Sequence, residues 1–173
     1  MARPREFDID EAVSAAMNAF WEKGYEGTSL HDLLDAMQIT RGSLYKAFGS
    51  KKELFLRALA AYDAIYVAPG EARLKNEDIP GGKRISAVFQ GARAVLEQGE
   101  NRGCLLCNTA AGAPIDDLEI AEKVNDQIER LRSGFLKALT DDGLDTKAAK
   151  QEADRLTREY VGLRVLSRGK AAA

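Results

Sequence analysis

Residues 28–54 read TSLHDLLDAMQITRGSLYKAFGSKKEL. Leu30, Leu33, Leu34 and Met37 recur at helical spacing, and Thr28 or Ser29 supplies a side-chain oxygen to cap the first turn. Gln38 falls in a turn and Ile39 plugs the angle behind it. Thr40 is placed to cap a second short helix, whose Leu44, Ala47 and Phe48 face inward. The outward set is Arg41, Gly42, Ser43, Tyr45 and Lys46, which are small, donor-rich or basic. Ser50 and Glu53 have capping-box spacing and predict a third helix at once. Lys51 and Lys52 stand in its first turn, where the helix dipole disfavours cations unless an anion is near.

Two short helices joined by a tight turn, with a third following, is the layout of a helix-turn-helix, whose second helix enters the major groove of DNA. The competing reading is a plain three-helix packing unit with charged solvent faces. Residues 37–52 carry Arg41, Lys46, Lys51 and Lys52 and no acid, which favours the first reading.

Working outward, Ile9, Val13, Ala16, Met17 and Phe20 mark an amphipathic helix in front of the motif, ending at Gly24. The helix from Ser50 is expected to run to about Val67 and to stop at Pro69-Gly70. Residues 69–82, PGEARLKNEDIPGG, are expected to form a polar connection. Beyond it Ile85, Val88, Phe89, Ala92, Val95 and Leu96 mark one helix, and CLLCNTAAG (104–112) a short apolar one. A long helix opens at Asp116 to Glu119 and closes at Asp141 to Gly143. A last helix carries Ala149, Ala153, Leu156, Tyr160 and Leu163. No alternating strand pattern occurs, so the predicted class is all-α.

The motif resembles the N-terminal DNA-binding domain of TetR-family repressors. The resemblance runs through Gly24-Tyr25, Thr28 to Leu30, Ile39 to Tyr45, Phe48 and Ser50-Lys51. It implies an N-terminal three-helix helix-turn-helix domain over 1–50, a connecting helix over 51–68, and a helical ligand-binding and dimerisation domain over 69–173. By position, Thr28, Tyr45 and Lys51 look like phosphate contacts, and Arg41, Gly42, Ser43 and Lys46 like the base-facing set. The implied partners are a palindromic double-stranded operator, a small-molecule effector and a second copy of the chain. Three positions depart from the family pattern: Gln38 replaces a turn glycine, Leu34 a small alanine, and Ala47 an aromatic or histidine. Relatives dimerise through two last long helices. Here the chain ends SRGKAAA after the helix that follows Gly143, so it reads as one helix short.

The 173 residues suit one domain or two small ones. A net charge of −2 gives no general support to nucleic-acid binding, so that reading rests on the local patch. No apolar run of about 18 residues predicts a membrane span. The start, MARPREFDIDEA, lacks the apolar core of a signal peptide, and a cytoplasmic location is the expectation. Arg3 and Arg5 form a short basic arm, read as a frayed terminus ahead of a DNA contact.

Cys104 and Cys107 form C-x-x-C. One reading is a thiol redox or electrophile sensor, since Gly103 to Leu105 resembles reactive-cysteine members of the family. Apolar neighbours Leu105, Leu106 and Ala110 favour two buried small hydrophobes instead. Two cysteines and one distant histidine, His31, fall short of a four-ligand zinc site. No phosphate loop, catalytic triad or HExxH appears, so neither an enzyme nor a cofactor is expected. Tyr62, Tyr66, Phe89, Cys104, Asn108, Phe135 and Tyr160 are candidate lining for a ligand pocket, against plain core packing. A helical protein-interaction module is the remaining alternative.

Overall fold

The computed structural model describes residues 7–97 and 101–168, and these contain helices and no strand. Leu96 and Ala113 are described in backbone only. The Arg3–Arg5 arm lies outside the described residues. The chain divides into two compact units, Met1–Tyr62 and Asp63–Ala173. Among the described residues no helix is long and apolar enough to cross a membrane.

The first unit holds α1 (Ile9–Gly27), α2 (Leu30–Met37), α3 (Arg41–Phe48) and α4 (Lys51–Tyr62). Asp8 caps α1 by accepting from the amides of Asp10 and Glu11. Gly24 interrupts its regular dihedrals with φ 75°. Leu33 and Met37 of α2, Leu44 and Phe48 of α3, and Leu54, Phe55, Ala58, Leu59 and Tyr62 of α4 are buried with Ala16, Met17, Phe20 and Trp21 of α1. Phe20 meets Phe55 edge-on at 4.9 Å, and Trp21 meets Tyr62 edge-on at 5.0 Å.

The second unit begins with a π-helical turn, Asp63–Val67, and continues into α5 (Ala68–Leu74). The expected stop at Pro69 does not occur. Proline at the first turn of a helix loses no hydrogen bond, because those amides have no intrahelical partner. Pro69 therefore opens α5. The polar connection shrinks to the stretch between Leu74 and Gly81. Then come α6 (Gly81–Glu97), α7 (Leu105–Ala110), a 3₁₀ turn (Ala113–Asp116), α8 (Leu118–Asp141) and α9 (Thr146–Leu166). Asp117 caps α8 and Asp145 caps α9 through backbone amides. The last two helices, α8 and α9, are the longest among the described residues.

Val88, Phe89, Leu131, Phe135, Ala138, Ala149, Ala153 and Leu156 form the core of this unit. Asp142, just after α8, ties that helix to the start of α6 by accepting from the amides of Gly81 and Gly82, both at 2.6 Å. Arg84 is fully buried, and it donates to the Leu74 carbonyl at 2.8 Å and to Asp141 at 2.9 Å. Lys137 and Arg84 in turn hold the Asp141 carboxyl below its usual range.

Candidate nucleic-acid interface

Ser29 caps α2, and the cap is reciprocal. The Ser29 hydroxyl accepts from the Asp32 amide at 3.1 Å, and Asp32 accepts from the Ser29 amide at 2.8 Å. Lys23 of α1 pairs with the same carboxylate. Lys23 and the Ser29 hydrogen bonds hold the Asp32 carboxyl well below the usual carboxylate range. The N-cap at Ser29 agrees with the residue type there, and the S-x-x-D spacing of residues 29–32 carries the box as the S-x-x-E spacing does at Ser50. There the structure makes one half: the Glu53 amide donates to the Ser50 hydroxyl at 3.1 Å.

The turn between α2 and α3 rests on Gln38, which takes φ 53° and ψ 41°, and is the positive-φ residue other than glycine among those described. Left-handed backbone costs about 1–2 kcal/mol for a residue with a Cβ. The Gln38 side chain offsets part of it by donating Nε2–H to the Asp35 carbonyl at 2.6 Å. Thr40 then caps α3, its Oγ1 accepting from the Ser43 amide at 3.2 Å and lying 3.0 Å from the Ser43 hydroxyl.

Two buried residues, Leu44 and Phe48, seat α3 on the unit's core. Arg41, Gly42, Tyr45 and Lys46 are exposed and Ser43 is half-buried. The Arg41 guanidinium lies 5.7 Å from the Tyr45 ring centre, so the two share one face. Lys51, half-buried at the start of α4, sets its ammonium 4.4 Å over the Tyr25 ring, and Tyr25 packs on Phe20 and Phe55. Gly42 has a specific meaning here. A Cβ at this position would meet nothing of the protein nearer than the Thr40 hydroxyl at 3.9 Å. Glycine inside a helix costs up to about 1 kcal/mol against alanine. The unit's own packing does not require it, whereas close approach by an outside backbone or base would.

Thr28 departs from expectation. It is fully enclosed, and its hydroxyl donates to the Gly24 carbonyl at 2.6 Å, with the Ala19 carbonyl at 3.3 Å. The kinked last turn of α1 takes up this side chain, which leaves no hydroxyl for a phosphate. His31 is exposed beside Asp35, at 2.9 Å.

The candidate pocket residues divide between the two units. Tyr62 belongs to the first unit's core, and Tyr66 is half exposed on the π-helical turn. Phe89 and Phe135 stack at 6.0 Å, with the Tyr160 ring edge-on to Phe89 at 5.8 Å. Burial pushes the Tyr160 phenol up to about 12. Asn108 donates to the Arg102 carbonyl at 2.8 Å.

Cys104 and Cys107 are both buried. Cys104 caps α7, its sulfur accepting from the Cys107 amide at 3.5 Å. The neighbouring Cys104 sulfur and burial push the Cys107 thiol well above its ordinary value. A thiolate is the reactive form, so this placement disfavours the sensor reading. A thiol reagent is expected to label the native protein slowly, at the rate at which the second unit opens. Labelling of Cys104 as fast as a free thiol would show that the burial does not protect it.

A short helix-turn-helix with an acid-free, solvent-facing second helix defines a class of transcriptional regulators. Residues 12–58 match the family described as bacterial regulatory proteins, tetR family. The chain is 34% identical over 142 residues to the uncharacterized HTH-type transcriptional regulator YezE of Bacillus subtilis, covering 80% of this chain and 72% of that one. It is 33% identical over 120 residues to the repressor ComR of Escherichia coli, covering 69% of this chain and 57% of ComR. Among solved structures it resembles the TetR-family regulator CifR, a cysteine variant bound to 26-base-pair operator DNA. That likeness has a TM-score of 0.80 and 28% identity, covering 98% of this chain and 92% of CifR. The chain belongs to the TetR family, which consists of regulators and not enzymes.

Proposed function

We propose that this protein is a one-component transcriptional repressor that binds a palindromic double-stranded operator as a homodimer and is released by a small-molecule effector. The observation that carries the reading is the exposed face of Arg41, Gly42, Tyr45 and Lys46, with Lys51 beside it. Donors and cations there meet base edges and phosphates, and Gly42 leaves room for close approach. The repressor ComR and the operator-bound CifR add support by likeness. The unit Met1–Tyr62 is the reading head, and Asp63–Ala173 is the body that dimerises through α8 and α9. The Phe89–Phe135–Tyr160 cluster is the place we assign to the effector. A regulator of this kind works in the cytoplasm, where its operator is.

Selection of bound duplexes from a random pool tests this. The expected product is a pseudo-palindrome whose half-sites lie about one helical turn, 34–36 Å, apart, bound by a dimer. A pool that fails to enrich defeats the repressor reading and leaves an interaction module in its place.

A further inference from the structure

The segment joining the two units is not built to hold itself. A π-helical turn is rare and recurs at functional positions. The seven residues of α5 are too few for an isolated helix to persist in water. What fixes residues 63–74 comes from far away in sequence. Arg130 of α8 donates from Nη1 and Nη2 to the two Asp63 oxygens at 2.9 and 3.0 Å, and from Nε to Glu71 at 2.9 Å. Lys75 closes on the other Glu71 oxygen at 2.7 Å. One turn further along α8, Gly134 leaves a gap that Leu74 fills: a Cβ there would lie 3.0 Å from the Leu74 side chain. Arg84 takes the Leu74 carbonyl from the other side.

Asp63 directly follows Tyr62, the last residue of the reading head. Its grip is a planar two-pronged fork, which fixes orientation as well as distance. The rest of α8 faces the aromatic core through Leu131 and Phe135. One helix thus holds the joining segment on one side and the candidate effector site on the other.

We propose that Arg130 is a positioning residue for DNA binding: its fork on Asp63 and Glu71 sets the conformation of residues 63–74, through which α8 controls operator affinity. The proposal rests on the repressor reading. An operator fits only one spacing of two heads. A segment freed from Arg130 samples several conformations, and operator binding must then order it.

The test uses the full chain and the selected operator. Arg130→Gln is expected to lower hydrogen-exchange protection of residues 63–74 about tenfold or more while residues 30–48 keep theirs. Operator Kd should rise about tenfold, with base preference and salt slope unchanged, because no phosphate contact is lost. Arg130→Lys, which keeps the charge but not the fork, should fall between. Asp63→Asn with Glu71→Gln attacks the same grip without altering α8 and should reproduce Arg130→Gln. Unchanged protection, or protection lost with Kd unaltered, overturns the proposal. So does loss of protection throughout residues 118–166 in both variants, which would make Arg130 a support of the fold alone. A wild-type chain that binds no operator defeats the repressor reading and the positioning role with it, and needs no variant to be recognised.

Discussion

A chain carrying Arg41→Ala, Lys46→Ala and Lys51→Ala is expected to lose its operator almost completely, by about a thousandfold at physiological salt, if each position supplies a good base or phosphate contact worth 1–3 kcal/mol. The salt dependence should flatten together with the affinity, by about 0.9 in the logarithmic slope for each charge withdrawn from a phosphate. The fold should survive. Arg41 and Lys46 are exposed and hold no part of the core, while Lys51 contributes one cation–π contact, worth about 0.5–1 kcal/mol at such a site. Far-UV circular dichroism and the melting curve should therefore stay close to wild type. The single variants should differ in kind. Lys51→Ala is expected to weaken all sequences alike, whereas Arg41→Ala should relax preference at one or two base pairs. Wild-type affinity in the triple variant, measured by fluorescence anisotropy across a salt series, would mean that α3 does not read DNA.

Local signals in this chain were legible and remote ones were not. The turn at Gln38, the cap at Thr40 and the inward pair Leu44 and Phe48 follow from spacing and residue type alone, because each depends on neighbours within four positions. Pro69 misled because proline ends a helix only from its interior, and the sequence does not say whether a new helix begins there. The π-helical turn could not be read either: it inserts no distinctive residue, and its support comes from Arg130, 67 positions from Asp63. Periodicity is blind to such pairs. Thr28 failed for a related reason. Its residue type suits a phosphate contact, but burial beneath the end of α1 is a tertiary fact. The candidate pocket mixed residues of two units because aromatic residues at helical spacing look alike whether they meet a ligand or one another.

Phe20→Ala should be the most damaging single change in the reading head. Phe20 is fully buried, edge-on to Phe55 and stacked on Tyr25 at 6.1 Å. Removing a buried aromatic ring costs about 3–5 kcal/mol, the sum of lost transfer energy and the cavity left behind. The reading head spans 62 residues, and units of this size have a small margin within the usual 5–15 kcal/mol. A shift of about 12–40 °C in its melting transition follows, taking about 4–8 °C per kcal/mol for such a size. Phe20→Leu keeps most of the volume and should cost less than about 1.5 kcal/mol. The milder variant separates stability from function. Tyr25 lies between Phe20 and Lys51, so a repacked ring stack moves the surface on which the Lys51 ammonium rests. Phe20→Leu should then bind operator more weakly than its small loss of stability explains, with the deficit uniform across sequences as for Lys51→Ala. Calorimetry of Phe20→Ala within about 1 kcal/mol of wild type would show that the core is not organised around this ring.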